Sequence, residues 1–248
     1  MSDQTNSVDI DAVVRSLALK SVGLTGADVE RIVREARRTA RREKRDLVYN
    51  DIAARLESGK PKRSDASRWR RAVHEAGHAV ARYHLRQGSI DTITINGPNG
   101  RSYVDGHMEL DSIELEEPYA AMMISILAGR AAEEVILGTP SLGSGGSDQS
   151  DLAKATEIAL ALETVFGTSA INPLLHVATV IPLDRTITAN IGDAVNRRLE
   201  AAYATALELV ERSRLPLLAI ARRLLEAEAL APHDLNQYLP ALKTHCLD

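Results

Sequence analysis

The chain has 248 residues, 26% charged and 44% hydrophobic, with a formal net charge of −4. That is the composition of an ordinary globular protein of one or two domains, and it excludes a polyanion binder that works by bulk charge. The single cysteine, Cys246, permits no internal disulfide, and no apolar run approaches the roughly 18–20 residues that a membrane span needs.

In chain order, the polar start from Met1 to Ser7 carries no signal-type apolar stretch, so a soluble, cytoplasmic chain is the expectation. Aromatic residues are only 3% while Ala, Leu, Arg and Glu recur, which favours helix. Val8 to Leu19 is a first candidate helix. Thr25-Gly-Ala-Asp28 offers a cap with an acid in the first turn, and Val29, Ile32, Val33 and Ala36 follow at helical spacing. Asp51 to Leu56 continues the pattern. Ser58-Gly-Lys-Pro-Lys-Arg-Ser-Asp65 then interrupts it with turn formers and charge, which marks a boundary between a small helical domain, 1–63, and a larger one, 64–248.

Charge divides unevenly. Residues 1–73 hold 17 Lys+Arg against 11 Asp+Glu, which leaves 13 against 23 for the rest. The basic stretch from Arg34 to Arg45 has no interleaved aromatics and no recognisable nucleic-acid module. A solvated or partner-docking helix face is therefore expected of it rather than nucleic-acid binding.

After Ser67 the pattern predicts a helix to about Gln87, closed by Gly88. Thr92 to Ile95 alternates and is β-branched, Asn96 to Gly100 supplies a turn, and Arg101 to Leu110 returns as one or two short strands. Helices follow over Pro118 to Leu137 and Asp151 to Phe166, with two more within Ala189 to Leu230 divided near Pro216. Ser141 to Ser147 is a Gly/Ser loop. The fold class is thus mainly α with a small β-sheet or hairpin.

His74-Glu-Ala-Gly-His78 is an H-E-x-x-H sequence inside the helix after Ser67. Four residues make just over one turn, so both histidines project from one face and can take adjacent corners of a zinc tetrahedron. Glu75 lies about 100° around the helix, able to reach a water on the metal without ligating it. Trp69, Val73, Ala76, Val80 and Tyr83 form the apolar stripe that would seat this helix. Gly77, costly inside a helix, predicts a close approach there. A catalytic zinc needs a third protein ligand. His84, His107, Glu133, Glu134 and Asp151 are candidates that periodicity alone does not separate.

Three motifs occur in order: His74-Glu-Ala-Gly-His78-Ala-Val, Leu127-Ala-Gly-Arg-Ala-Ala-Glu-Glu-Val-Ile-Leu-Gly138, and Ser150-Asp-Leu-Ala-Lys-Ala-Thr156. Together they resemble the peptidase domain of the FtsH family, the M41 zinc metallopeptidases of ATP-dependent membrane proteases. Ile191 to Tyr203 is similar to that domain's late helices, and Thr25 to Ala36 to the helical lid of the AAA+ module before it. The resemblance implies a helical zincin-type domain at 64–248 after a lid-like domain at 1–63, with Zn²⁺ held by His74, His78 and Asp151 and Glu75 as catalytic base. Glu134 and Asp148 stand as alternatives to Asp151. It further implies a polypeptide substrate bound by strand addition near Thr92 to Leu110, and a homo-hexamer, with a smaller assembly or a monomer as the alternative where no ATPase ring holds it.

The sequence departs from that family in having no G-x-x-x-x-G-K-[ST] phosphate loop and no membrane helices. The expectation is a metalloendopeptidase acting on unfolded or flexible polypeptides without an ATPase of its own. The alternative is a non-enzymatic adaptor that docks a partner AAA+ ATPase through its basic helix and keeps a structural zinc.

Overall fold

Side-chain capping starts three of the longer helices. At α2 (Gly26–Arg42) the Thr25 hydroxyl accepts from the Asp28 amide and the Asp28 carboxylate accepts from the Thr25 amide, a reciprocal box that satisfies two otherwise orphaned donors. The computed structural model describes residues 10–58, 61–97, 100–107, 115–174, 176–177 and 185–239. Cys246, the first two residues of the helix expected from Val8, and positions 108–110 of the expected return strand lie outside them. Helix α3 (Tyr49–Glu57) packs with both α1 (Ile10–Lys20) and α2, and Ile32, Ala36 and Ala40 of α2 are buried with Ala53 and Leu56 of α3. Lys20 pairs with Glu57, and Arg55 donates to the Thr39 hydroxyl at 2.6 Å.

Ser64 caps α4 (Asp65–His84), whose Val73, Ala76 and Val80 are fully buried while Trp69 and Tyr83 pack at the core's margin. The helix stops at His84, ahead of the predicted Gln87, because Arg86 takes a left-handed φ of 53° that no α-helix continues through. α5 (Glu116–Leu137) crosses α4 closely. A Cβ on Gly77 would stand 2.5 Å from the Ala128 carbonyl oxygen and 2.6 Å from the Ala132 Cβ, so glycine is what lets the two backbones meet. α6 (Asp151–Thr164) and α7 (Arg185–Arg212) pack on α5, and α8 (Arg214–Ala227) packs on α4. The break between α7 and α8 falls at Ser213. Pro216 sits inside the first turn of α8, where a missing N–H costs nothing.

β1 (Thr92–Thr94) is the centre of a three-stranded antiparallel sheet, flanked by β2 (Tyr103–Asp105) and β3 (Ala229–Leu230). Ile93 pairs with Val104 on one side and Leu230 on the other and is fully buried. β3 was expected as the end of a helix. Instead Glu228, at φ 63°, ends α8, and its carbonyl accepts from Ile95 N at 3.0 Å. Its carboxylate takes Arg68 at 3.2 Å and Asn96 Nδ2 at 2.9 Å, tying α8, α4 and β1 together. A four-residue helix, α9 (Pro232–Leu235), follows β3. The architecture is mainly α with a small sheet, as the sequence predicts.

Candidate metal centre

The one-turn spacing on α4 brings His74 and His78 together, with Nε2 atoms 3.1 Å apart. Asp151, the first residue of α6, presents its Oδ2 3.0 Å from His74 Nε2 and 3.5 Å from His78 Nε2. The Ser150 hydroxyl caps α6 by accepting from Ala153 N at 3.3 Å, which fixes where that carboxylate starts. Among the described residues, these three form the one group of histidines and acids that can share a metal ion.

The residues fit a zinc ion. Tetrahedral zinc with ligands at ~2.1 Å spaces its donor atoms ~3.4 Å apart, close to the separations seen here. The outer ring nitrogens are already engaged. His78 Nδ1 donates to the Ser125 carbonyl at 2.9 Å, and His74 Nδ1 lies 2.8 Å from Glu133 Oε1. Because a carbonyl and a carboxylate only accept, Nδ1 carries the proton on both rings, which points the Nε2 lone pairs inward. Gly129 leaves the room: a Cβ there would stand 2.6 Å from His78 Nε2 and 2.7 Å from His74 Nε2.

Glu133 is 2% exposed and fully bonded. Besides His74, its carboxylate accepts from Arg70 at 2.7 Å, the Ser141 amide at 2.7 Å and the Ser141 hydroxyl at 3.0 Å. Burial would push Glu133 up, but bonds from His74, Arg70 and Ser141 outweigh it and bring its pKa down to about 2. Burial would likewise lower His74, yet its bonds to Asp151 and Glu133 raise it well above an ordinary imidazole. Asp151 is held well below the usual carboxylate range by the two histidines, against burial.

Glu75 is 3% exposed and lines a cleft of about 780 Å³ together with His74, His78 and Asp151. No hydrogen bond reaches its carboxylate from the described residues. The other sequence candidates lie elsewhere. Glu134 accepts from the Tyr203 hydroxyl at 2.6 Å. Asp148 and His107 are exposed, and His84 Nε2 pairs with the Ser213 hydroxyl at 3.0 Å. Sequence reasoning left Glu133 among the candidate third ligands and did not single it out as a partner of His74. Its signal was the Ala-Glu-Glu pair, of which only one member can face α4.

A helix bearing two inward Nε2 atoms, a third carboxylate donor from a separate helix and a free carboxylate beside them define a metallohydrolase-type centre of the zincin kind. Residues 62–238 match the model for peptidase family M41, and the chain belongs to that family. It is similar to proteins named ATP-dependent zinc metalloprotease FtsH. The one from Mycoplasma mobile is 31% identical over 93% of this chain and 36% of its own length. The one from Chloroflexus aggregans is 31% identical over 96% and 40%, and that of Mycobacterium leprae 30% over 91% and 31%. The chain thus spans less than half the length of these relatives. No helix among the described residues is long and apolar enough to cross a membrane.

Proposed function

We propose that this chain is a zinc-dependent endopeptidase that hydrolyses unfolded or flexible polypeptides, with His74, His78 and Asp151 as metal ligands and Glu75 as general base. The observation that carries the reading is the convergence of three donor atoms beside the unbonded Glu75 carboxylate in one open cleft. When bound, zinc supplies Lewis acidity there, polarising the scissile carbonyl and lowering the pKa of a water towards about 7. Glu75 accepts the proton that this water loses as its oxygen adds to the carbonyl carbon. It then passes that proton to the departing amine nitrogen as the C–N bond breaks. Glu133 and the Ser125 carbonyl hold both imidazoles in the required tautomer throughout.

β2 is an outer strand of its sheet, and Tyr103 and Val104 line the cleft, so an extended substrate can add as a further strand there. This requires a chain that is already unfolded, and cleavage by these residues needs no nucleotide. Residues 1–63 are taken as a lid-like helical domain before the peptidase domain of 64–248. A six-fold ring or an AAA+ partner acting at the lid, in the cytoplasm, is the corresponding assembly. Arg34, Arg37, Arg38, Arg41 and Arg42 on α2 line one exposed face and give such a partner a docking point.

Metal content and nucleotide-free casein hydrolysis on one preparation, beside Glu75→Gln, test the proposal. About one zinc per chain, with cleavage lost in the variant, supports it. Zinc without cleavage favours the adaptor reading, and no zinc removes the basis of both.

A further inference from the structure

Just past the end of α4, Gln87 is 7% exposed, and neither its Oε1 nor its Nε2 has a hydrogen-bond partner. Burying a carboxamide with donor and acceptor both unmade is costly, and a methionine of similar size would avoid that cost. Yet this side chain lines the same cleft as His74 and Glu75. Arg82, in the last turn of α4, lines it too. One of its terminal nitrogens donates to the Ser89 carbonyl at 2.9 Å, while its buried Nε has no partner.

Among the described residues, the charge along the cleft has one sign outside the metal centre: its other charged lining residues are Arg101 and Lys154, both exposed, and its acids are Glu75 and Asp151. The described carboxylates that act on Arg82, Asp91 and Asp105, do not line the cleft, and each has one oxygen bonded locally, to the Ser89 hydroxyl and the Gly106 amide respectively. An unmade donor and acceptor at a cationic wall fit a ligand that carries negative charge with an N–H near it. That is a peptide residue with a carboxylate.

We infer that Gln87 is a specificity-determining residue that reads a carboxylate of the substrate polypeptide, within a positive field supplied by Arg82, Arg101 and Lys154. The carboxylate accepts from Gln87 Nε2, and Gln87 Oε1 takes a substrate N–H. The inference rests on the peptidase reading above. A buried polar group that is satisfied only by the matching substrate discriminates strongly against one that leaves it unpaired. The carboxylate has two sources, an acidic side chain or the substrate's own C-terminus.

The test measures fluorescence anisotropy on the zinc-loaded Glu75→Gln chain, which binds without turnover. Three kinds of labelled peptide built on one parent sequence are compared: neutral and blocked at both ends, a blocked series with a Glu placed at each position in turn, and neutral with a free C-terminal carboxylate. One of the two carboxylate peptides should bind about tenfold tighter than the neutral blocked one, and which of them does so names the source. Adding Gln87→Leu should level the affinities. Adding Gln87→Glu should reverse the preference, which a merely structural role would not do, and it carries the test should the leucine variant fail to fold. Equal affinities, or a preference that both Gln87 variants leave intact, would overturn the inference. No binding by any peptide, while the chain with Glu75 intact cleaves casein, overturns it alone. No binding and no casein cleavage sinks the peptidase reading and takes this inference with it.

Discussion

Replacing the Glu133 carboxylate by a carboxamide leaves the volume of the site unchanged and alters what faces the His74 Nδ1 proton, the Arg70 guanidinium and the Ser141 amide and hydroxyl. Outer partners of this kind tune metal affinity by about 10–100-fold. Glu133→Gln should therefore weaken zinc binding by that factor in a chelator competition while the circular dichroism spectrum stays that of the parent. The same residues set a pH dependence. Asp151 and Glu133 raise His74 above an ordinary imidazole, so at neutral pH the metal-free ring holds a proton that zinc must displace. Lowering pH favours the protonated form, so affinity should fall on acidification, by about tenfold per pH unit for each proton displaced. Zinc titrations between about pH 6 and 8, with proton release followed in two buffers, check this. An affinity that does not change with pH would show His74 to be neutral before the metal arrives.

At the scale of elements, the crossing of α4 and α5 carries both packing and chemistry, and two glycines separate those roles. A Cβ at Gly77 would meet the Ala128 backbone and Ala132, which cannot swing aside. Gly77→Ala should cost about 1–3 kcal/mol of stability by overpacking, read as a lowered melting temperature. A Cβ at Gly129 would instead intrude on the two Nε2 atoms. Gly129→Ala should lose zinc with a smaller change in melting temperature. The same crossing decides the Glu133–Glu134 pair. Neighbours on a helix point about 100° apart, so when one faces α4 and bonds His74, the other faces α7 and bonds Tyr203. Sequence periodicity located α5 but not its rotation, because α5 carries apolar and small residues on several sides and is buried against α4, α6 and α7.

For the whole molecule, the metal centre lies on a core that is apolar and complete without it. Val73, Val80, Leu127, Leu162 and Leu224 are buried to 2% exposure or less, and none of them contributes a donor to the proposed metal. Chelation should therefore abolish peptide cleavage while leaving helix content intact at room temperature. It should lower the melting temperature only by the binding energy lost, about 2.7 kcal/mol if free zinc stands a hundredfold above its dissociation constant. Unfolding on chelation at room temperature would instead make the metal a structural element, as the adaptor reading has it.

What the sequence determined by itself was whatever is set within a turn or two of chain. The Thr25 capping box, the helix bearing His74, Glu75 and His78, the β-branched strand at Thr92 and the close approach at Gly77 all follow from capping, periodicity and residue size. What only the tertiary structure decided was convergence across distance. Glu133 lies 59 residues from His74 and Asp151 lies 77, and no local rule specifies which distant acids a packed core will deliver to one imidazole. The strand at Ala229–Leu230 belongs to the same class. It extends an apolar, helix-forming run, and it becomes a strand because Glu228 is held in a left-handed turn by Arg68, Asn96 and Ile95, partners far away in sequence. Local free energies choose the elements; the packing of one against another chooses which of their side chains meet.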